Sequence, residues 1–157
     1  MAIALSLQHY LDNRHIPYEV VVHRATASST DTAQSAHVAS DSVAKGVLLE
    51  DEAGFVLAVI PASSRVNLRN IRFQLDRRLG LSTEDKIATV FPDCSIGAIP
   101  PIGQPYQVEM IMDSALEGKN DIFFEGGDHC SLVHVDGNDF RRLMAGAEQG
   151  AFAQPRT

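Results

Sequence analysis

One lysine is a candidate for chemistry because it lies inside an apolar segment with the pattern of a buried strand, Val43-Ala44-Lys45-Gly46-Val47-Leu48-Leu49. Strand side chains alternate between the faces of a sheet, so Lys45 shares a face with Val43, Val47 and Leu49. Burying an unpaired ammonium is costly. Lys45 therefore either extends its charged head to solvent near a strand end or lines a pocket where the charge meets a substrate.

Two glycine-rich segments are further candidates. In Gly97-Ala98-Ile99-Pro100-Pro101, the glycine permits close approach of the backbone and the prolines stiffen the loop. The backbone N–H groups of such a loop can bind a carbonyl oxygen or an oxyanion. The second segment, Gly126-Gly127-Asp128-His129-Cys130, is a tight connection that carries a histidine. Either segment could equally be a structural turn.

A group of arginines and one histidine complete the candidates. Arg65, Arg69 and Arg72 surround the start of a predicted helix. Arginine suits bidentate bonds to phosphate, although a run of charges is also typical of a solvated helix face. His23 directly follows a predicted strand, where it either bonds to the backbone or borders a pocket.

The elements that position these residues alternate between strands and helices. β-Branched residues predict a strand over 18–22, and two apolar runs around the turn 51–54 predict a hairpin. Apolar spacing predicts a helix from Asn67 to about Leu79. Further strands are expected over 108–112, 122–124 and 132–135, followed by a C-terminal helix. This pattern predicts one α+β or α/β domain over residues 1–149 and a flexible tail over 150–157.

Composition narrows the class of protein. The chain has 157 residues, a formal charge of −7 and only two cysteines, Cys94 and Cys130, far apart in sequence. The negative charge argues against a protein that coats nucleic acid, and we expect no binding to DNA. No apolar run approaches the roughly 20 residues of a membrane span. The spacing of the cysteines is typical of a reducing compartment, so we expect a cytoplasmic protein without membrane association.

In combination, these motifs resemble the YbaK/prolyl-tRNA-synthetase-associated editing domain family. The resemblance rests on Lys45 in its apolar strand, on the Gly-x-x-x-Pro loop Gly97–Pro101 and on the Gly-Gly-x-His turn, and it extends to about Met144. It implies a compact α+β domain with a large mixed, barrel-like sheet and flanking helices. It also implies a free-standing deacylase that hydrolyses the ester of a mischarged amino acid at the acceptor end of tRNA, with no metal or organic cofactor.

The resemblance also suggests roles for individual residues. Lys45 would contact the terminal phosphate or the carbonyl, and backbone groups of Gly97 and Ala98 would stabilise the oxyanion. Ile99, Pro100, Pro101, Gly127, His129 and His23 would border the aminoacyl group, and Arg65, Arg69 and Arg72 would contact tRNA. The water would be activated by a ribose hydroxyl of the substrate. The compact loop predicts a small amino acid such as alanine, cysteine or serine. The resemblance implies tRNA-Pro as a candidate carrier and a synthetase as a candidate partner.

One departure from the family concerns specificity. Family members commonly place a polar residue after the lysine, whereas this chain has Gly46, which we expect to open the floor beside Lys45.

Three alternatives stay open at this point. Cys130 or Cys94 could act as a nucleophile with His129 or His134, although sequence neighbours usually point apart. Asp128, His129 and His134 could bind a metal, although their spacing matches no common ligand pattern. The domain could also bind aminoacyl-tRNA or a synthetase without catalysis.

Overall fold

The protein is built on one large mixed sheet and a small two-stranded sheet, in a computed structural model that describes residues 3–24 and 29–156. The strands are β1 Glu19–Val22, β2 Val43–Asp51, β3 Gly54–Pro61, β4 Ser64–Val66, β5 Gly80–Leu81, β6 Glu109–Asp113, β7 Asp121–Glu125, β8 Ser131–Asp136, β9 Glu148–Gly150 and β10 Ala153–Pro155. The large sheet has the order β1-β8-β7-β2-β3-β6-β9, with β5 paired to β2, while β10 pairs with β4. The pairs β2–β7, β3–β6 and β6–β9 are parallel and the others antiparallel.

Helices lie around this sheet. They are α1 Leu5–Asn13, α2 Ser29–Ser35, α3 Leu68–Leu75, α4 Glu84–Val90 and α5 Gly137–Leu143. The predicted α+β fold with a large mixed sheet and flanking helices is therefore confirmed. Within the described ranges, no helix is both long enough and apolar enough to cross a bilayer.

The β2–β3 hairpin is the centre of the sheet, as the apolar pattern predicts, and it pairs antiparallel from Ala44↔Pro61 to Asp51↔Gly54. The two faces of β2 bury different sets of side chains. Ala44 and Leu48 belong to the largest cluster, which α1 and α5 also build. Leu49 and Val47 pack on the opposite face, in a cluster with residues of α3. The alternation that places Lys45 with Val47 and Leu49 is thus the one that the structure has.

The chain beyond Gly150 is ordered, so the prediction of a flexible tail over 150–157 is wrong for the described residues; Thr157 lies outside them. Phe152 is fully buried in the cluster beneath α3. The carboxylate of Asp113 accepts the backbone N–H groups of Phe152 and Ala153 at 2.7 and 2.8 Å. Burial of one aromatic ring and two charge-assisted hydrogen bonds therefore hold β10 against β4.

Helix α3 carries two of the candidate arginines. The side chain of Asn67 accepts the N–H of Asn70 at 3.1 Å and so caps the helix, as predicted. The helix ends at Leu75, earlier than the apolar spacing predicts, because Asp76 adopts a left-handed conformation with φ of +51°.

Candidate active site

A gap in the pairing of β2 creates the site. One edge of β2 pairs with β3 along nearly its whole length. The other edge pairs with β7 only at Val43 and Ala44 and with β5 only at Leu49 and Glu50. Among the residues that the structure describes, no strand therefore lies beside 45–48 on that edge.

Backbone groups of β2 point into this gap. The carbonyl of Val43 accepts the N–H of Ala62 on the β3 side, and the carbonyl of Leu48 accepts the N–H of Ser82 on the other side. In an antiparallel strand, alternate residues direct both backbone groups to the same edge. The N–H and C=O of Gly46 therefore face the gap, midway between β7 and β5.

A cavity of about 310 Å³ occupies the gap. Its lining consists of Lys45, Gly46, Val47, Leu48, Leu81, Ser82, Ile87, Gly97, Ile99 and Arg156. The structure thus brings the strand lysine and the Gly97 loop, which are about fifty residues apart in sequence, to one pocket. Ala98, Pro100, Pro101, Gly127, His129 and His23 are not in the lining of this cavity.

Lys45 is half-buried in the cavity wall. Desolvation by burial, and then repulsion from Arg156, lower the pKa of the Lys45 ammonium to about 8. Among the described residues, no carboxylate forms an ion pair with Lys45. The side chain is therefore a partly desolvated cation that faces a pocket, rather than a surface lysine extended into water.

The Gly97–Pro101 loop supplies fewer backbone donors than its sequence suggests. The N–H of Ala98 donates to the carbonyl of Ser95 at 3.0 Å, and the Ala98 side chain is fully buried. The role predicted for Ala98 as an oxyanion donor is therefore not supported, and prolines carry no N–H. In the described part of the chain, the N–H groups of Gly97 and Ile99 have no hydrogen-bond partner.

The two prolines fix the loop against β2. A Cβ at Gly46 would lie 3.2 Å from Cα of Pro101, 3.3 Å from the carbonyl oxygen of Pro100 and 2.9 Å from Cδ1 of Leu57. The space at Gly46 is thus filled by the loop, and the expectation that Gly46 opens the floor beside Lys45 is wrong. Gly46 instead allows the loop to approach the strand closely enough to complete the pocket.

We expect Gly46→Ala to push the loop off β2, because the added methyl group meets backbone atoms that cannot rotate away. The free energy of unfolding should fall by about 1–3 kcal/mol, the usual cost of overpacking. Thermal unfolding measures this loss. Gly80→Ala is the matched control, since a Cβ at Gly80 meets nothing within 4 Å; equal effects of the two substitutions would contradict the role given to Gly46.

The glycine turn after β7 is joined to the same loop. The N–H of Ser95 donates to the carbonyl of Gly127 at 2.7 Å. The carboxylate of Asp128 accepts the N–H groups of Cys130 and Ser131 and so fixes the turn. His129 is half-buried with φ of +63°, and its Nδ1 is buried without a hydrogen-bond partner among the described residues. The turn therefore supports the loop, while a direct contact of His129 with substrate stays a prediction.

Sequence reasoning missed a buried acid beside this turn. Glu125 ends β7, one residue beyond the pairing of Phe124 with Ala44, and is 2% exposed. Burial raises the pKa of the Glu125 carboxyl to about 7, an effect that the Thr32 hydroxyl opposes and the charge of Asp128 increases. The available signal was the charge at the end of Ile122-Phe123-Phe124, the same kind of signal that identified Lys45.

His23 packs against this acid rather than in the cavity. Its ring is fully buried, Nδ1 donates to the carbonyl of Arg24 at 2.7 Å, and Nε2 lies 3.8 Å from Oε1 of Glu125. The last distance is too long for a hydrogen bond. His23 therefore does not border the cavity as predicted. It instead packs against Glu125 at the ends of β1 and β7.

Cys94 does not have the environment of a nucleophile. Burial raises the pKa of the Cys94 thiol to about 12, and its Sγ lies 3.3 Å from the Tyr106 hydroxyl. Nε2 of His134 lies 2.8 Å from Oδ1 of Asp121, and its ring stacks on Phe123. Over residues 3–24 and 29–156, no group of three His, Cys, Asp or Glu side chains could hold a metal ion.

The candidate arginines lie outside the cavity, on the surface that β4 and α3 share. Arg65 and Arg69 are exposed. Arg72 is also exposed, but its Nε donates to the carbonyl of Leu79 at 2.6 Å and so ties α3 to the following loop. Phe73, on the same helix, is 91% exposed.

The cavity can bind a small polar group and polarise it. Lys45 and Arg156 supply positive charge, and the lining also includes Gly97 and Ile99, whose N–H groups have no hydrogen-bond partner among the described residues. Val47, Leu48, Leu81 and Ile87 supply an apolar wall. The cavity lining contains no carboxylate and no imidazole. This arrangement suits stabilisation of a developing oxyanion better than proton abstraction by a side chain.

Comparison with known proteins identifies a family whose model matches most of this chain. A family model described as the aminoacyl-tRNA editing domain matches residues 23–143. The matched range contains Lys45, the Gly97–Pro101 loop and the turn after β7. A search of curated protein sequences found no match.

Solved structures share the whole fold. The crystal structure of "hypothetical protein APE2540" is 15% identical, with a TM-score of 0.83, and the match covers 95% of this chain and 99% of that one. A proposed trans-editing enzyme for prolyl-tRNA synthetase is 21% identical, with a TM-score of 0.83 and 96% of each chain covered. A proposed signal transduction protein from Marinobacter aquaeolei VT8 is 18% identical, with a TM-score of 0.77; the match covers 95% of this chain but 30% of that longer one.

Proposed function

The chain belongs to the aminoacyl-tRNA editing domain family, and we propose on that basis that it is an aminoacyl-tRNA deacylase. The observation that carries the proposal is the meeting of Lys45, Gly97 and Ile99 in one cavity at an open edge of β2. Unpaired backbone N–H groups are donors that an ester needs where its carbonyl oxygen becomes negative, and a cation beside them can hold an anionic group of the substrate in place. The proposed substrate is the acceptor end of tRNA that carries a wrong amino acid.

The proposed reaction is hydrolysis with a water molecule as the nucleophile. The water oxygen attacks the ester carbonyl carbon while the N–H groups of Gly97 and Ile99 stabilise the oxyanion. The bond between that carbon and the ribose oxygen then breaks, and the ribose oxygen takes a proton. Because the cavity lining holds no carboxylate or imidazole, a neighbouring ribose hydroxyl of the substrate is the proposed relay for the proton of the water.

We propose that the amino acid is small. The cavity has a volume of about 310 Å³, which lies at the lower end of the range for small-molecule sites. An apolar pocket discriminates mainly by excluding what is too large, so alanine, cysteine and serine are the proposed side chains. tRNA-Pro is the first carrier to test, since one structural relative is described as a trans-editing enzyme for prolyl-tRNA synthetase. A cytoplasmic location and contact with a synthetase belong to the same proposal.

A deacylation screen tests this function. The pure protein is mixed with tRNA-Pro that carries labelled alanine or cysteine, and with tRNAs that carry leucine or phenylalanine, and release of the amino acid is followed. We expect rapid release of the small amino acids only. Binding without release of any amino acid would instead identify a non-catalytic aminoacyl-tRNA-binding module.

Contact with the body of the tRNA is proposed for the exposed Arg65 and Arg69. Charge reversal of both should raise KM for tRNA by about tenfold or more and leave kcat/KM for a minimal aminoacyl-adenosine unchanged. Each lost phosphate contact should also lower the salt dependence of tRNA binding by about 0.7–0.9 in the log–log slope. Arg141→Glu on α5 is the control for net charge, and equal effects on both substrates would exclude this surface.

A further inference from the structure

Arg156 is the one residue of the cavity lining that comes from the C-terminal segment, directly after β10. Its backbone N–H donates to the carbonyl of Ser63 at 3.2 Å, which extends the pairing of β10 with β4 by one residue. Its side chain lines the same cavity as Lys45, Gly46 and Gly97. The position of this arginine is therefore set by β10, which the buried Phe152 anchors.

The cavity holds two cations and no compensating anion among its lining residues. Within the described residues, no ion pair involves Lys45 or Arg156. The charge of Arg156 also acts on Lys45, because it is the second cause, after burial, of the lowered pKa of that ammonium. Lys45 is half-buried and Arg156 is exposed. Two like charges beside one cavity repel each other, and a bound anion would relieve the repulsion.

If the substrate is an aminoacyl ester of RNA, its chemistry indicates which anion could bind between Lys45 and Arg156. In an aminoacyl ester the carboxyl group of the amino acid is not ionised, because it is the esterified group. The nearest formal negative charge is then the phosphodiester on the 5′ side of the terminal nucleotide. A guanidinium forms paired hydrogen bonds to phosphate oxygens, and an ammonium adds a compact charge, so the two side chains suit one phosphoryl group.

We propose that Lys45 and Arg156 together bind one phosphoryl group, which in the substrate is the phosphodiester of the terminal nucleotide of the RNA. The assignment to RNA rests on the proposed function, whereas the phosphoryl site itself rests on the geometry of the cavity. Arg156 is thus a substrate-binding residue, and β10 is part of the site.

Binding of adenosine 5′-monophosphate tests the phosphoryl site without any hydrolysis. Isothermal titration should show binding of this nucleotide that Arg156→Gln weakens by about tenfold, the effect of one lost charge-assisted contact. Arg156→Lys should retain part of the affinity, and Arg141→Gln, on α5, should retain all of it. Adenosine, which has no phosphate, should bind equally to wild type and Arg156→Gln. Equal losses in Arg156→Gln and Arg141→Gln would overturn the proposal.

A comparison of inorganic phosphate with a short RNA distinguishes a site for the phosphodiester of RNA from a site for free phosphate. If the site serves RNA, inorganic phosphate should bind more weakly than the nucleotide, and a short RNA that ends in CCA should displace the nucleotide. Tight binding of inorganic phosphate that the RNA does not displace would overturn the assignment to RNA.

The pKa of Lys45 gives an independent readout in the free protein. Removal of the neighbouring charge in Arg156→Gln should raise this pKa from about 8 towards the ordinary lysine value. An NMR titration of the isotope-labelled ammonium measures the shift. An unchanged pKa in Arg156→Gln would overturn the proposed pairing. A protein that passes these tests but cleaves no ester would retain the phosphoryl site and lose the proposed deacylase function.

Discussion

Lys45→Ala should lower the single-turnover rate of deacylation by at least about a hundredfold, because loss of the proposed contact with the terminal phosphodiester misplaces the ester beside the oxyanion donors. The fold should survive, because Lys45 is partly desolvated and forms no ion pair within the described residues. Lys45→Arg should restore little of the rate, since a planar guanidinium does not occupy the place of a compact ammonium. Rapid-quench measurement of amino acid release, with thermal unfolding of each variant, decides the matter.

The lowered pKa of Lys45 also predicts how the free energy of unfolding of the wild type and of Lys45→Ala should depend on pH. The folded-state pKa of Lys45, about 8, lies below that of an unfolded lysine. The unfolded chain therefore binds more protons between the two values, and the wild type gains stability as pH rises through that window. Lys45→Ala should remove this gain, whereas the control Lys119→Ala should keep it together with full activity. A stable Lys45→Ala protein with a normal rate would exclude the catalytic role.

Glu125→Gln should stabilise the protein at pH 8 and have a much smaller stabilising effect at pH 5. The pKa of the Glu125 carboxyl is raised to about 7 in the folded state, chiefly by burial. An unfolded glutamate loses its proton near pH 4.3, so the folded state binds more protons between about 4.3 and 7, and stability falls as pH rises through that window. The penalty is complete above pH 7, and a neutral amide avoids it.

The size of this effect is bounded by the pKa shift. The gap between about 4.3 and about 7 corresponds to about 3.7 kcal/mol at most, or a gain of up to roughly 7–15 °C in Tm at pH 8. Thermal unfolding at the two pH values measures it. The exposed Glu117 offers the control variant Glu117→Gln. A gain of equal size at pH 5 and pH 8 would show that charge burial is not its cause.

The sequence predicts those parts of the site that a pattern of neighbouring residues reveals. Lys45 is recognisable because a charge interrupts an apolar alternation, and the Gly97 loop because glycine and proline mark a special backbone. The hairpin of β2 and β3 follows from two apolar runs around a turn. Each of these features depends on neighbours within about ten residues.

The parts that sequence misses depend on contacts between distant residues. Arg156 enters the cavity because Asp113 and the buried Phe152 hold β10 in place, and nothing in the composition of 150–157 indicates a strand. The function of Gly46 depends on Pro101, about fifty residues later. Ala98 loses its predicted role because its N–H is used within its own turn. Glu125 differs from these, because its charge ends the apolar run 122–124 and is a local signal.

The short unpaired edge of β2 has a consequence for the association of this protein with other chains. Free strand edges are sites where proteins aggregate, because another strand can add to them. Here the edge spans residues 45–48 only, and β7 and β5 block it at both ends. An incoming strand would gain hydrogen bonds to Gly46 alone, too few to offset its loss of conformational freedom. An edge of this length admits a small substrate and resists polymerisation without the charged or proline-rich protection that longer edges need.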